Sequence, residues 1–467
     1  MQPFKVSGVW WIPGRDADQV AGTLTFDGKA GIRLALLGAF TDPATPGLQV
    51  ALVGELRVDK IVGAAEGNFF TLMDCLLLGQ RFQAPGIDTQ EYHARIVLRG
   101  YAPLIDDQFT RCVLRFECLT EWSGVSGFAV TDDARPGQPI AEERTVQVAY
   151  RHEPHEVTIE SGWKFALQKV VRRHISLHHV DIGSETQIEV TAPIEVTHDE
   201  MSRIAVNRFW NLLTFSVGRP CALLEFTLVT QDGRTFEVGS SLVYTNDGDP
   251  LALTSHQILL PLHLINFANL VKRWYDLYER ASRALNPIFG LLYAPPAYTE
   301  LQFVVTVMAA EGIHSSVIKN DPAANADTAL RRSKILEAIV EHIEDADFQW
   351  IEALLRNAGG PTLKLRLLQI WEHTGAAGAW LIPNASNWAK NIKNERNSVS
   401  HPSRSKLSAL QLYWARESVA RMITLTILLE LVPEGFEIID RVSGLADWTF
   451  AREQILENLP EWGVTDS

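Results

Sequence analysis

In the stretch 388–406, WAKNIKNERNSVSHPSRSK, four residues separate an arginine from a histidine, Arg396 from His401. A guanidinium is a fixed charge and a planar fork of donors suited to a phosphate. An imidazole exchanges a proton near neutral pH. The spacing lets the two groups converge on one phosphate, where charge stabilisation and proton transfer can act together. Around them Lys390, Lys393, Arg404 and Lys406 join Arg396 against a single acid, Glu395, a local charge of +4 in a chain whose formal net charge is −14. A basic island in an acidic protein reads as a phosphate site; the plainer alternative is a solvated helix end.

The spacing alone carries little weight, since on the order of one such pair arises by chance. Arg173 and His178 repeat it, in a β-rich segment where it has no helical meaning. Arg366 and His373 stand seven apart within one predicted helix, with Glu372 beside the histidine; Arg366 could instead pack its stem in the bundle and pair with a buried acid. The pair Arg396/His401 is preferred for its charge island, the Asn397 that follows the arginine, and its place before the last long helix. Asn397 could orient His401, touch phosphate or cap a helix end. Glu395 could balance Arg396 or be an ordinary exposed acid. Glu311 and His314 could line the same cleft or sit on a solvated helix end. The histidines near 174–179 lack carboxylates or cysteines at ligand spacing and read as a strand with outward polar residues.

The elements that must position these groups change character along the chain. Up to about residue 248 the pattern is β-rich: Gly22–Phe26, Ile32–Gly38, Ala94–Gly100, Arg111–Leu119 and Thr186–Val196 are separated by Gly, Pro, Asp and Asn clusters. This predicts a sandwich or barrel-like domain interrupted by a helix over His198–Phe215, closed by Gly218. Of Trp10 and Trp11, alternation puts one in a core and the other on the opposite face. Residues 249–467 read as an all-α bundle. Helices are expected over Ile265–Leu285, ended by Asn286-Pro287, then Glu300–Ile313, Asp327–Ile343, Phe348–Arg356, Thr362–His373, Ser386–Asn397 and Ser405–Leu431. Residues 433–467 are either a last helix or an appended tail. The fold class is thus α+β multidomain, with domains 1–248 and 249–467.

At 46% hydrophobic the chain can fill sizeable cores. Cys75, Cys112, Cys118 and Cys221 form no C-x-x-C pair, which argues against a zinc ribbon and a disulfide scaffold and fits a reducing cytoplasm. The N-terminus lacks a signal-peptide pattern, and no apolar run reaches the ~20 residues of a membrane helix. A net charge of −14 is unusual for a non-specific nucleic-acid binder, so any such role rests on a local site. No cofactor or metal is expected.

The motif Arg396-Asn397-x-x-x-His401 before Pro402 resembles the HEPN family, whose R-x4-6-H signature lies between its last two core helices. The chain resembles ApeA-like anti-phage proteins over nearly its full length. The opening SGVWWIPG, VAGTLTFDG and IRLALLG is similar to their N-terminal domain. Glu311-Gly-Ile-His314 and Leu365-Arg366-Leu367 resemble ordered landmarks of their HEPN domain. The resemblance implies a metal-independent endoribonuclease of antiviral defence, acting on RNA and tRNA in particular. The ribose 2′-OH would attack its own phosphorus and leave a 2′,3′-cyclic phosphate and a 5′-OH. It implies a homodimer or larger assembly, a phage-derived trigger, and a β-rich domain that senses infection or restrains the nuclease.

Two other readings stand beside it. One is a HEPN-like module that dimerises or binds a ligand without chemistry; retention of Arg396 and His401 in a basic island speaks against it. The other is a carbohydrate- or protein-binding sandwich with a helical oligomerisation tail, which leaves the island unexplained.

Overall fold

Alternation of side chains across a pleated strand builds the N-terminal half. The computed structural model describes residues 1–28, 30–40, 57–81, 83, 85–104, 106–124, 128–132, 146–150, 155–176, 179–240, 253–294, 297–318, 322–340, 342–357, 361–400 and 407–464. Two compact units, Met1–Lys272 and Arg273–Ser467, divide it. The boundary expected at 248/249 falls in 241–252, outside the described residues.

In the first unit six strands close on themselves: β1 (Phe4–Trp11), β2 (Val20–Asp27), β3 (Gly31–Leu37), β4 (Arg57–Ala65), β5 (Asn68–Arg81) and β6 (Thr89–Ala94). Their order is β5-β4-β1-β2-β3-β6, and β6 returns to pair with β5, so the barrel has no open edge. Every second residue of β2 and β3 points inward; Leu24 pairs with Leu34 and Leu34 with Tyr92, all buried. Trp10 fills the middle, fully buried, in space left by Gly63. Trp11, on the opposite face of β1, is also largely covered.

The same β5 continues the ladder outward. It pairs with β6 from Leu76 on, but through Phe69–Met73 it pairs with β7 (Ile96–Gly100). Between the two registers Asp74 takes φ 53, a left-handed conformation that Asp tolerates better than most residues, and Arg95 binds its carboxylate at 2.6 Å. The open part of the sheet runs on through β8 (Phe109–Phe116), β11 (His155–Thr158), β12 (Lys164–Ile175), β13 (Val180–Val196), β14 (Leu223–Val229) and β15 (Thr235–Ser240), in the order β7-β15-β14-β8-β13-β12-β11. Among the described residues the strands β9 (Phe128–Asp132) and β10 (Val146–Tyr150) pair with each other in a separate two-stranded sheet. The expected sandwich or barrel is therefore a closed barrel that shares a strand with an open antiparallel sheet.

Helix α1 (Leu119–Ser123) follows β8. The interrupting helix is α2 (His198–Met201), a π turn over Ser202–Asn207, and α3 (Arg208–Val217). Gly218 at φ 85 ends it as expected. Phe209 of α3 meets Phe116 and Phe165 of the sheet, and α3 is buried from Phe209 to Val217.

The rest is helical: α4 (Phe267–Tyr293), α5 (Thr299–Val317), α6 (Pro322–Ile339), α7 (Asp345–Asn357), α8 (Leu363–Leu381), α9 (Ala385–Ser400), α10 (Ala409–Leu431), α11 (Ile438–Ser443) and α12 (Ala446–Asn458). The expected stop at Asn286-Pro287 does not occur. A proline inside a helix costs about 3 kcal/mol, but the turn beyond it packs Phe289 edge-on against Trp274 at 5.9 Å and is retained. Helix α10 is the buried centre, capped by a Ser408–Gln411 box and packed on α5, α8 and α12. Helix α8 outruns its expected end and bends at Gly375 (φ 55). Residues 433–464 belong to the bundle: Trp448, Ile455 and Trp462 are buried, and Arg452 Nε donates to the Trp380 carbonyl at 2.7 Å. Among the described residues no helix is long and apolar enough to cross a membrane.

Candidate active site

Helix α9 carries the first half of the motif, and its buried stripe fixes which way that half faces. Trp388, Ala389, Ile392 and Glu395 recur at helical spacing and are buried. Trp388 Nε1 donates to Ser418 Oγ of α10 at 2.9 Å, locking the rotation of α9. Its start is held by Asn384, whose side-chain oxygen accepts from Asn387 N at 3.0 Å. With that stripe turned inward, Lys390 and Asn397 are exposed and Lys393 half-buried, sharing the outer face at i, i+3 and i+7.

Arg396 stands at the border between the faces. Its Nε is buried with no hydrogen-bond partner among the described residues. Its only side-chain bond there is a long one, 3.5 Å, from Nη1 to Asn397 Oδ1. A guanidinium with most donors uncommitted is a ready receptor for an oxyanion. Glu395 is not the exposed acid that was one expectation, since only 4% of it is accessible. Helix α9 ends at Ser400, and His401, Arg404 and Lys406 lie outside the described residues.

A second polar group is built between α5 and α8. The inward stripe of α5 runs Phe303, Val307, Ala310, Ile313, His314 and Val317. Gly312 lets α5 approach α4 closely: a Cβ there would lie 2.7 Å from that of Ala284. His314 is fully buried, so the solvated helix end does not hold for it. Its Nε2 lies 2.7 Å from Gln369 Oε1 of α8, while Nδ1 is buried without a partner among the described residues. Burial, aided by the charge of Arg366 and opposed by the Gln369 bond, holds its pKa below the usual histidine value. The ring is therefore neutral near pH 7.

Arg366 does not pair with an acid among the described residues. Its Nε donates to the Pro361 carbonyl at 3.0 Å, and Nη1 reaches Ser315 Oγ at 3.5 Å. That serine donates to the carbonyl of Glu311, whose own carboxylate is half-buried on α5. His373 is exposed two turns beyond Arg366, about 10 Å along the helix, so these two do not converge. Arg173 is exposed on β12 and His178 lies outside the described residues. No cluster of three or more His, Cys, Asp or Glu able to hold a metal occurs among the described residues.

The fold thus joins His314, Gln369, Arg366 and Ser315, and α9 packs against both α5 and α8. Gln369 was missed by sequence reasoning; its only signal is a polar residue interrupting the apolar run Leu367-Leu368-Gln369-Ile370, three positions after Arg366. A family model described as ApeA N-terminal domain 1 matches residues 5–274, and one described as Apea-like HEPN matches residues 304–437. The second match spans α5 to α10, and with them Glu311, His314, Arg396 and His401. No curated protein and no solved structure matches the chain.

Proposed function

The chain belongs to the ApeA family, an ApeA N-terminal domain 1 followed by an Apea-like HEPN domain, and on that premise we propose that it is a metal-independent endoribonuclease of bacterial anti-phage defence. The observation that carries this reading is Arg396. Its guanidinium is largely uncommitted among the described residues, stands beside exposed Asn397, and is set five positions before His401 on a helix whose rotation is fixed.

The chemistry follows from those groups. The 2′-OH of RNA attacks the adjacent phosphorus, the P–O2′ bond forms and the P–O5′ bond breaks. His401 serves the proton transfers and Arg396 binds the non-bridging oxygens as charge builds on them. Because the substrate supplies its own nucleophile, the protein needs only to position and stabilise. Lys390, Lys393, Arg404 and Lys406 hold neighbouring phosphates, Asn397 and Glu395 support the pair, and Glu311 and His314 shape the surrounding wall. Transfer RNA is the first substrate to test. The working form is a cytoplasmic homodimer in which two motifs face each other, with residues 249–467 as nuclease and residues 1–248 as the part that senses a phage-derived trigger.

The test is cleavage of total tRNA by the purified full-length protein in EDTA, together with growth arrest on phage infection. Cleavage leaving cyclic-phosphate ends, abolished by Arg396→Ala and by His401→Ala in folded protein, supports the enzyme. If both variants arrest growth and cut as the wild type does, a HEPN-like binding module becomes the better reading.

A further inference from the structure

Cys118 and Cys221 face each other where the ladder between β8 and β14 ends. Phe116 pairs with Leu223, and Glu117 N donates to the Ala222 carbonyl at 2.8 Å, which brings the chain leaving β8 at Cys118 beside the chain entering β14 at Cys221. Both are buried and unbridged. The Cys221 thiol donates to the Arg219 carbonyl at 3.5 Å. Arg219 Nη2 donates to Cys118 Sγ at 3.4 Å. Cys118 itself has φ 64, a left-handed backbone that a non-glycine residue adopts only when its surroundings impose it. Two opposed thiols, a cation on one of them and a strained backbone are more than packing requires.

We propose that this pair is a peroxide-responsive thiol site, with Cys118 as the attacking sulfur, Cys221 as the resolving one and Arg219 as the positioning cation. The Cys118 thiolate attacks one oxygen of a peroxide such as hydrogen peroxide. The S–O bond forms, the O–O bond breaks, and the departing hydroxide takes a proton to become water. Cys118 is now a sulfenic acid, oxidised by two electrons. The Cys221 sulfur then attacks that of Cys118; the S–S bond forms, the S–O bond breaks, and hydroxide leaves with the Cys221 proton as a second water. Two thiols and one peroxide become one disulfide and two waters.

The electrostatics agree. The bond from Cys221 and then that from Arg219 pull the Cys118 thiol below its usual pKa, against burial and the nearby charge of Glu117. The other two thiols serve as controls within the same molecule: burial pushes Cys75 up to about 12 and Cys112 higher still, and among the described residues it is an acid, Asp74 or Glu189, that adds to the rise.

The experiment treats the full-length protein with hydrogen peroxide, blocks remaining thiols with iodoacetamide and maps peptides without reduction. A dithiothreitol-reversible Cys118–Cys221 peptide is expected, with Cys75 and Cys112 still free. In the untreated native protein, Cys118 should alkylate at least about tenfold faster than Cys75. Cys221→Ser should stop at a sulfenic acid on Cys118, trapped by dimedone. Arg219→Gln should move the pH profile of Cys118 alkylation upward, and Arg219→Lys should restore part of it. The proposal is overturned if peroxide leaves Cys118 and Cys221 as thiols, or oxidises all four cysteines at one rate. The wild-type map decides even if a variant fails to fold.

Discussion

His314 on α5 and Gln369 on α8 meet inside the helical unit, with Nε2 and Oε1 2.7 Å apart and the imidazole out of solvent. Burial holds the folded pKa of this histidine below the ordinary histidine value of 6.5. The unfolded chain therefore protonates His314 near pH 6.5, while the folded chain does so only at lower pH. The contribution of this neutral ring to stability is complete above that point and is lost as pH falls from 6.5 toward the folded pKa. Urea midpoints should fall on acidification from about pH 8 to about pH 5.5, and His314→Gln should flatten the slope in that window. An unchanged slope in His314→Gln would show that other groups govern acid sensitivity.

Trp10 and Gly63 set the tolerance of the barrel. A Cβ on Gly63 would lie 2.1 Å from Trp10 Cε3, far inside contact distance, and Trp10 is wholly enclosed and has no room to give way. Gly63→Ala should cost about 3 kcal/mol or more, by overpacking. Gly183 on β13 is exposed and meets nothing within 4 Å, so Gly183→Ala should stay within about 0.5 kcal/mol. Thermal denaturation of the two variants makes the comparison; equal midpoints would mean that β4 shifts to make room.

Much of this architecture was written in local patterns. Alternation along β2, β3 and β13 and the apolar stripe of α9 follow from side chains that must choose between water and core. Barrel closure was not legible, because it depends on β5 pairing with β6 on one stretch and β7 on another, with Asp74 turning the strand between them. Pro287 misled for the same reason: the local rule for proline was outweighed by the distant contact of Phe289 with Trp274. At the candidate site the position of Arg396 was readable from charge and spacing. The burial of His314 and Glu395 and the partnership with Gln369 were not, since they depend on which faces of α5, α8 and α9 turn together.

The bond from Trp388 Nε1 to Ser418 Oγ is the device that holds α9 in rotation. Ser418→Ala strands a buried donor, since both residues are fully enclosed, and should cost about 1–3 kcal/mol. If RNA cleavage is the activity, this variant should lose rate in parallel with the ordering of α9, with hydrogen exchange rising along residues 385–400. A loss of stability with unaltered exchange in α9 would mean that packing alone orients the helix.

Arg396 separates charge from geometry. Among the described residues it forms no ion pair, and its one side-chain bond is long, so little folding energy is at stake. Arg396→Ala should leave the thermal midpoint within about 0.5 kcal/mol of wild type. Under the proposed function it should lower RNA cleavage by about 10²-fold or more, the scale of losing a donor to a developing oxyanion. Arg396→Lys keeps the charge but not the planar fork, and should recover only a small part of the rate. Single-turnover cleavage of tRNA by the three proteins decides between them. A lysine variant as fast as wild type would reduce the role of Arg396 to electrostatic attraction, and an alanine variant as fast as wild type would remove it from the site altogether.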